Sequence, residues 1–155
     1  MKTVILLSFI SLSMLLTSSR CSETAQGQGT EQGITGKVLW KEGNMMPGPG
    51  QPAQEATPVV REILIYELTH TSKATYAEGS PLYGKVDSQL IKKAERDQKC
   101  NFKVQLPPGR YSLFTQEEEG LFANQFDGQG NIQVVEVKAG TYTELTVDID
   151  YKAAY

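Results

Sequence analysis

Between Asn101 and Thr115 the chain reads NFKVQL-PPG-RYSLFT, two short runs in which apolar and polar residues alternate on either side of a Pro-Pro-Gly break. A period of two places Phe102, Val104 and Leu106 on one face and polar residues on the other, as in a half-buried strand. Similar short runs fill most of the sequence after the first twenty residues, and no long apolar pattern of period 3.6 accompanies them. The reading is therefore all-β.

Further strands follow from the same pattern. Ile34 to Trp40 puts Ile34, Val38 and Trp40 on one face. Val59 to Leu68 (VVREILIYEL) is dense in β-branched and aromatic residues and reads as a central strand covered on both faces. Lys85 to Glu95 alternates weakly, with Val86, Leu90 and Ala94 on one side. A strand is preferred there, a short helix competes, and the lysines of 85–99 suit a sheet edge. The Pro-Pro-Gly unit predicts a hairpin. A second hairpin is expected at the end, from Ile132–Val137 through a turn at Ala139-Gly140 to Tyr142–Ile149. Phe122 to Phe126 is a short strand candidate before Asp127-Gly128-Gln129-Gly130, which must turn. Lys41 to Pro58, with Met46-Pro47-Gly48-Pro49-Gly50 at its centre, reads as a long surface loop, and His70 to Pro81 as a polar loop. About seven short strands in one domain predict an antiparallel β-sandwich.

The first twenty residues differ from all this. Lys2 precedes the apolar run Val4 to Leu16, too short for a membrane-spanning helix and arranged like an export signal. Residues 1–20 are assigned to that signal, 21–32 to a linker, and 33–155 to the folded domain. Leu15-Leu16-Thr17-Ser18-Ser19-Arg20-Cys21 ends as a bacterial lipoprotein signal does, which makes Cys21 the candidate lipid attachment site and the acyl chains the membrane contact. Arg20 and Ser18 depart from that pattern. Cleavage after Ser19 would instead release a soluble periplasmic or secreted protein. Ser22 to Gln32 (SETAQGQGTEQ) is polar and Gly/Gln-rich, a tether by composition.

Charge and side-chain supply exclude several functions. The precursor carries 15 basic and 18 acidic side chains. Without residues 1–20 it has 13 against 18, a formal charge of −5, which argues against nucleic acid as a partner. Two cysteines and one histidine at wide spacing cannot supply a zinc site. No metal and no cofactor is expected. An acylated Cys21 leaves Cys100 unpaired, whereas a free Cys21 permits a 21–100 bridge.

Three motifs are similar to carboxypeptidase regulatory-like domains. Ile34-Thr35-Gly36-Lys37-Val38 resembles their opening Ile-x-Gly-x-Val strand. Asp97-x-x-Cys100-x-Phe102-x-Val104-x-Leu106-Pro107-Pro108-Gly109-x-Tyr111-x-Leu113 resembles their Asp-x-x-Gly turn and Leu-Pro-x-Gly-x-Tyr signature. Val135-x-Val137-x-Ala139-Gly140 leading to Leu145-x-Val147-x-Ile149 resembles their closing hairpin. The likeness spans Gly33 to Tyr151. It implies a prealbumin-like (transthyretin-like) sandwich of seven antiparallel strands, non-catalytic, of a kind common on secreted and surface proteins of Bacteroidetes. Cys100 stands where that family has glycine. A left-handed residue with a Cβ costs roughly 1 kcal/mol or more, so either the turn differs or the substitution is tolerated.

The enzymes that share a prealbumin-like fold need two histidines, and this chain has only His70, flanked by threonines in a polar loop. Glu117-Glu118-Glu119 reads as a solvated loop, because consecutive strand residues point to opposite sides and seldom converge on a cation. Trp40, Met45 and Met46, beside the proline loop, are the candidate recognition surface, with Trp40 as a core residue the competing reading. The functional expectation is a non-catalytic cell-envelope lipoprotein of the outer membrane or periplasm, binding an unknown envelope protein or glycan or serving a structural role. A small secreted hydrolase with an unrecognised site is the alternative.

Overall fold

The computed structural model describes residues 31–46, 48–50, 54–96 and 100–155. The expected signal, Cys21 and nearly all of the linker lie outside the described residues. Within them the chain forms a β-sandwich of two sheets, as the alternation predicts.

The first sheet runs in the order β12-β1-β8-β7, from β1 (Gly33–Asn44), β7 (Glu95–Arg96), β8 (Asn101–Gln105) and β12 (Tyr142–Ala154), with β2 (Thr57–Pro58) paired to β1. The second has the order β4-β5-β10-β9-β3-β6, from β3 (Ile63–Glu67), β4 (Ala74–Tyr76), β5 (Tyr83–Val86), β6 (Leu90–Lys93), β9 (Gly109–Glu117) and β10 (Gly120–Phe122). A further strand, β11 (Val134–Val137), pairs with β9. Every pairing is antiparallel except that of β1 with β12, which is parallel, so the first sheet is mixed.

Ile34 and Val38 of β1, Phe102 and Val104 of β8, and Val147 and Ile149 of β12 meet Ile63 and Ile65 of β3, Leu113 of β9 and Val135 and Val137 of β11 in one buried cluster between the sheets. Burying each such side chain is worth about 1.5–3 kcal/mol. Gly36 has a packing reason for its place in β1: a Cβ there would collide with the Leu145 carbonyl and crowd the Phe102 ring.

Both expected hairpins are instead connections between sheets. β8 pairs with β1 and β7, while β9, just across Pro107-Pro108, pairs with β3, β10 and β11. Two prolines remove two successive N–H donors, so the chain cannot fold back into its own ladder there. Leu106 N–H donates instead to the Gln32 carbonyl, and the Tyr111 hydroxyl donates to the Pro107 carbonyl at 2.9 Å, pinning the arch. In the same way β11 joins the second sheet and β12 the first. Val135 and Val137 do meet Leu145, Val147 and Ile149, but across the core rather than side by side.

The expected loop 41–58 begins and ends in strand, in β1 up to Asn44 and in β2 at Thr57–Pro58. β1 continues to Asn44 because β12 runs beside it, with Lys41 donating to Asp148 at 2.7 Å. Residues 85–96 form no helix, and in place of the one strand expected from Lys85 to Glu95 they hold the end of β5 and two separate strands, β6 and β7, each an edge of a different sheet. The polar loop 70–81 contains a single 3-10 turn (Thr71–Lys73) and β4. Cys100 keeps the left-handed geometry that favours glycine, at φ 63°, with a free, partly exposed thiol.

Candidate functional site

β1 and β12 fall out of register between Trp40 and Glu42: Trp40 lies opposite Ile149, but Glu42 lies opposite Lys152. One extra residue of β12 is thereby accommodated, a bulge that turns the strand and re-aims its side chains. The result is a Trp40–Tyr151 pair, ring centroids 5.2 Å apart and nearly perpendicular. The Arg61 guanidinium and the Lys152 ammonium each sit 5.6 Å from the centre of the Trp40 ring, within the range of cation–π attraction.

Beneath them Glu117 is buried. It ends β9, and the two residues after it reverse the chain, so that Gly120 of β10 lies opposite Glu117. Glu118 and Glu119 at the tip are exposed, as expected of a solvated loop, but Glu117 does not share that environment: its side chain is 3% exposed. Arg61 Nε donates to both carboxylate oxygens at 3.2 Å, and the Tyr151 hydroxyl donates to Oε2 at 3.1 Å. Glu117 still belongs to β9 and lies on the same face as Leu113 and Thr115, so one of three adjacent glutamates points inward, which composition alone does not reveal. Burial, and then the Glu117 carboxylate, push the Tyr151 hydroxyl up to about 12. It therefore stays protonated and remains the donor at neutral pH.

These groups line an open cleft of about 450 Å³. The buried carboxylate is engaged by Arg61 and Tyr151, so its role is to hold both in place. What faces the opening is the partly exposed Trp40 ring, Lys152, and the glutamates of the β9–β10 turn. Trp40 thus answers to both sequence readings, since it packs on the core cluster and also lines the cleft. Met46 is 57% exposed and Met45 half-buried, but neither lines this cleft. They follow the end of β1, where Met45 N–H donates to the Ala154 carbonyl.

A second hollow, about 480 Å³, shares Tyr151 with the first and is also lined by Phe122. Tyr76 and Phe126 stand exposed at its rim, and the Asn124 side chain donates to Asp150 at 2.7 Å in its wall. Tyr76 is stacked on buried Tyr83 with centroids 4.3 Å apart. None of these was singled out from sequence, because isolated tyrosines in polar loops carry no pattern.

His70 is exposed, and its Nδ1 accepts from the Ser72 N–H at 3.1 Å. The Asp127 turn is built around one carboxylate. Oδ1 accepts from the Gln129 and Asn131 N–H groups, and Oδ2 from the Asn131 amide and Arg110. Those bonds, led by that of the Asn131 side chain, hold the Asp127 carboxyl well below the usual carboxylate range.

No family model, no curated protein and no solved structure matches the chain.

Proposed function

We propose that this protein is an exported, non-catalytic module of the cell envelope, akin to carboxypeptidase regulatory-like domains, held at the membrane through a lipidated Cys21. Its Trp40–Tyr151 cleft contacts an envelope protein or glycan. The observation that carries this reading is the cleft itself: a partly exposed Trp40 held by Tyr151 and by an Arg61–Glu117 pair anchored in the sandwich. A rigid frame presenting an aromatic face between charges suits recognition, because little order remains to be imposed on binding. Gly36 and the Tyr111 hydroxyl bond support the family likeness, since both give its motif residues a structural use.

Trp40 is the only tryptophan, so its fluorescence reports directly on the cleft. Titration with solubilised envelope glycan fragments and with outer-membrane protein fractions is expected to give a saturable change. Lys152→Glu should remove that change at an unaltered melting temperature. An unresponsive Trp40, together with a Trp40→Ala variant that loses stability, would assign the residue to the core alone. Anchoring is tested separately by Cys21→Ser, expected to move the protein from the membrane to the soluble fraction.

A further inference from the structure

We infer that the outer edge of β12 is a strand-addition site for an extended polypeptide segment of alternating basic and apolar residues. The inference is independent of the Trp40 cleft and of the lipid anchor. β12 runs for 13 residues at the end of its sheet, and among the described residues only β1 pairs with it. The edge strands β4, β6 and β7 have three, four and two residues. Short edges and lysines are ways in which proteins blunt such a template, and β6 uses both with Lys92 and Lys93. β12 has no proline, and its one lysine, Lys152, comes after the bulge.

The orientation of the free groups follows from the ladder. Gly33 lies opposite Tyr142, and its N–H donates to the Thr141 carbonyl. In a parallel ladder of this phase the odd-numbered residues of β12 bond to β1, while Glu144, Thr146 and Asp148 turn their N–H and C=O groups outward. Beside this edge an open cleft of about 490 Å³ separates β12 from β11, bridged by the Thr143 hydroxyl donating to the Glu136 carbonyl at 2.6 Å; among the described residues the only strand paired with β11 is β9. Val134, Val135 and Leu145 help to line it, so alternate side chains of an added strand would meet apolar surface.

Charge selects the occupant. Glu144 and Asp148 project on the solvent face of β12, with Asp150 following at the bulge, and Glu136 stands exposed on β11. Lys41 is bonded to Asp148, and Lys138 is the one basic residue that lines the cleft. A second copy of β12 fits poorly. Antiparallel self-pairing centred on Thr146, Val147 or Asp148 sets Glu144 against Asp148, Glu144 against Asp150, or Asp148 against itself. Like charges directly opposite destabilise a strand pair. A segment with lysine or arginine at alternate positions reverses each of those contacts, and its main chain supplies the missing hydrogen bonds.

The test uses the mature chain and an end-capped peptide of about nine alternating valines and lysines. Saturable binding with slowed hydrogen exchange at the Glu144, Thr146 and Asp148 amides is expected. The same peptide N-methylated at alternate residues, or with glutamate for lysine, should bind at least about tenfold more weakly. Thr146→Pro removes one outward N–H and leaves the β1 ladder intact, so it should abolish binding without lowering the melting temperature. Should that variant fail to fold, Glu144→Lys is expected to weaken the lysine peptide and strengthen the glutamate one. Equal binding of the N-methylated peptide, or unchanged affinities in Glu144→Lys, overturns the inference. So does protection of the three amides in the peptide-free protein, whether from a dimer or from the chain's own N-terminal segment.

Discussion

The two faces of the second sheet are both buried, but by different means. The inner face packs against the first sheet through aliphatic and aromatic side chains, with Ile63, Ile65 and Leu113 all 1% exposed or less. The outer face carries a smaller cluster of Tyr83, Phe114, Ala123 and Ile132, with Tyr66 and Leu121 packed against it. Polar groups complete that outer layer. Ser112 is fully buried, its hydroxyl donating to the Ile132 carbonyl at 2.6 Å and accepting the Thr69 N–H at 2.9 Å. Apolar area suffices when a whole sheet supplies the cover. When an irregular segment does, its backbone must find partners as well.

If the outer cluster is a second core, Phe114→Ala should cost about 3–5 kcal/mol, no less than the roughly 2–5 expected for Leu113→Ala. Phe114 meets Tyr66 and Tyr83 edge-on at 5.4 and 5.6 Å, and the cavity would remove both contacts. Guanidinium unfolding measures the pair, and a Phe114→Ala cost below about 1 kcal/mol would reduce the outer layer to a loosely held flap. Ser112→Ala comes next, at about 1–3 kcal/mol, since it strands the buried Thr69 N–H. Faster hydrogen exchange at Thr69 would locate that loss.

Acid should separate the layers further. Asp127 titrates below its ordinary value of 3.8 because Asn131, then Gln129 and Arg110, hold its ionised form. Its contribution is therefore present above that pH and is lost as the pH falls from there towards the depressed folded value. The melting temperature of the parent should thus drop more between pH 7 and pH 3 than that of Asp127→Asn; equal drops would deny the carboxylate this role. The smallest effect belongs to neither layer. Cys100→Gly should be neutral or stabilising by up to about 1 kcal/mol, because φ 63° is free of strain only for glycine. A lower melting temperature in that variant would reveal a use for the thiol.

These layers also explain what could be read from the residues alone. The inner core was legible because Phe102, Val104 and Leu106 alternate strictly with exposed neighbours. The outer one was not: Ser112, Leu113, Phe114 and Thr115 are all buried in succession, which erases the alternation where it matters. Pairing was equally hidden. Two adjacent alternating runs look the same whether they lie beside each other or face each other, and only the missing donors of Pro107 and Pro108 hinted at the second arrangement. Of the cleft, Trp40 was visible as an aromatic at a strand end. Tyr151, Arg61 and Glu117 became neighbours through a one-residue bulge and a two-residue turn, and spacing in sequence encodes neither.

The parallel seam of β1 with β12 has a consequence for how the molecule comes into being. Among the described residues it joins the first strand to the last, and its Lys41–Asp148 contact spans 107 positions of sequence. Of the strand pairings among the described residues, this seam has the greatest loop-closure cost, and it forms only after the intervening chain has been ordered or held close. A ribosome delivers β1 well before its partner. Until the thirteen-residue β12 emerges, β1 lacks that neighbour, and Gly36 waits without the carbonyl it is shaped to meet.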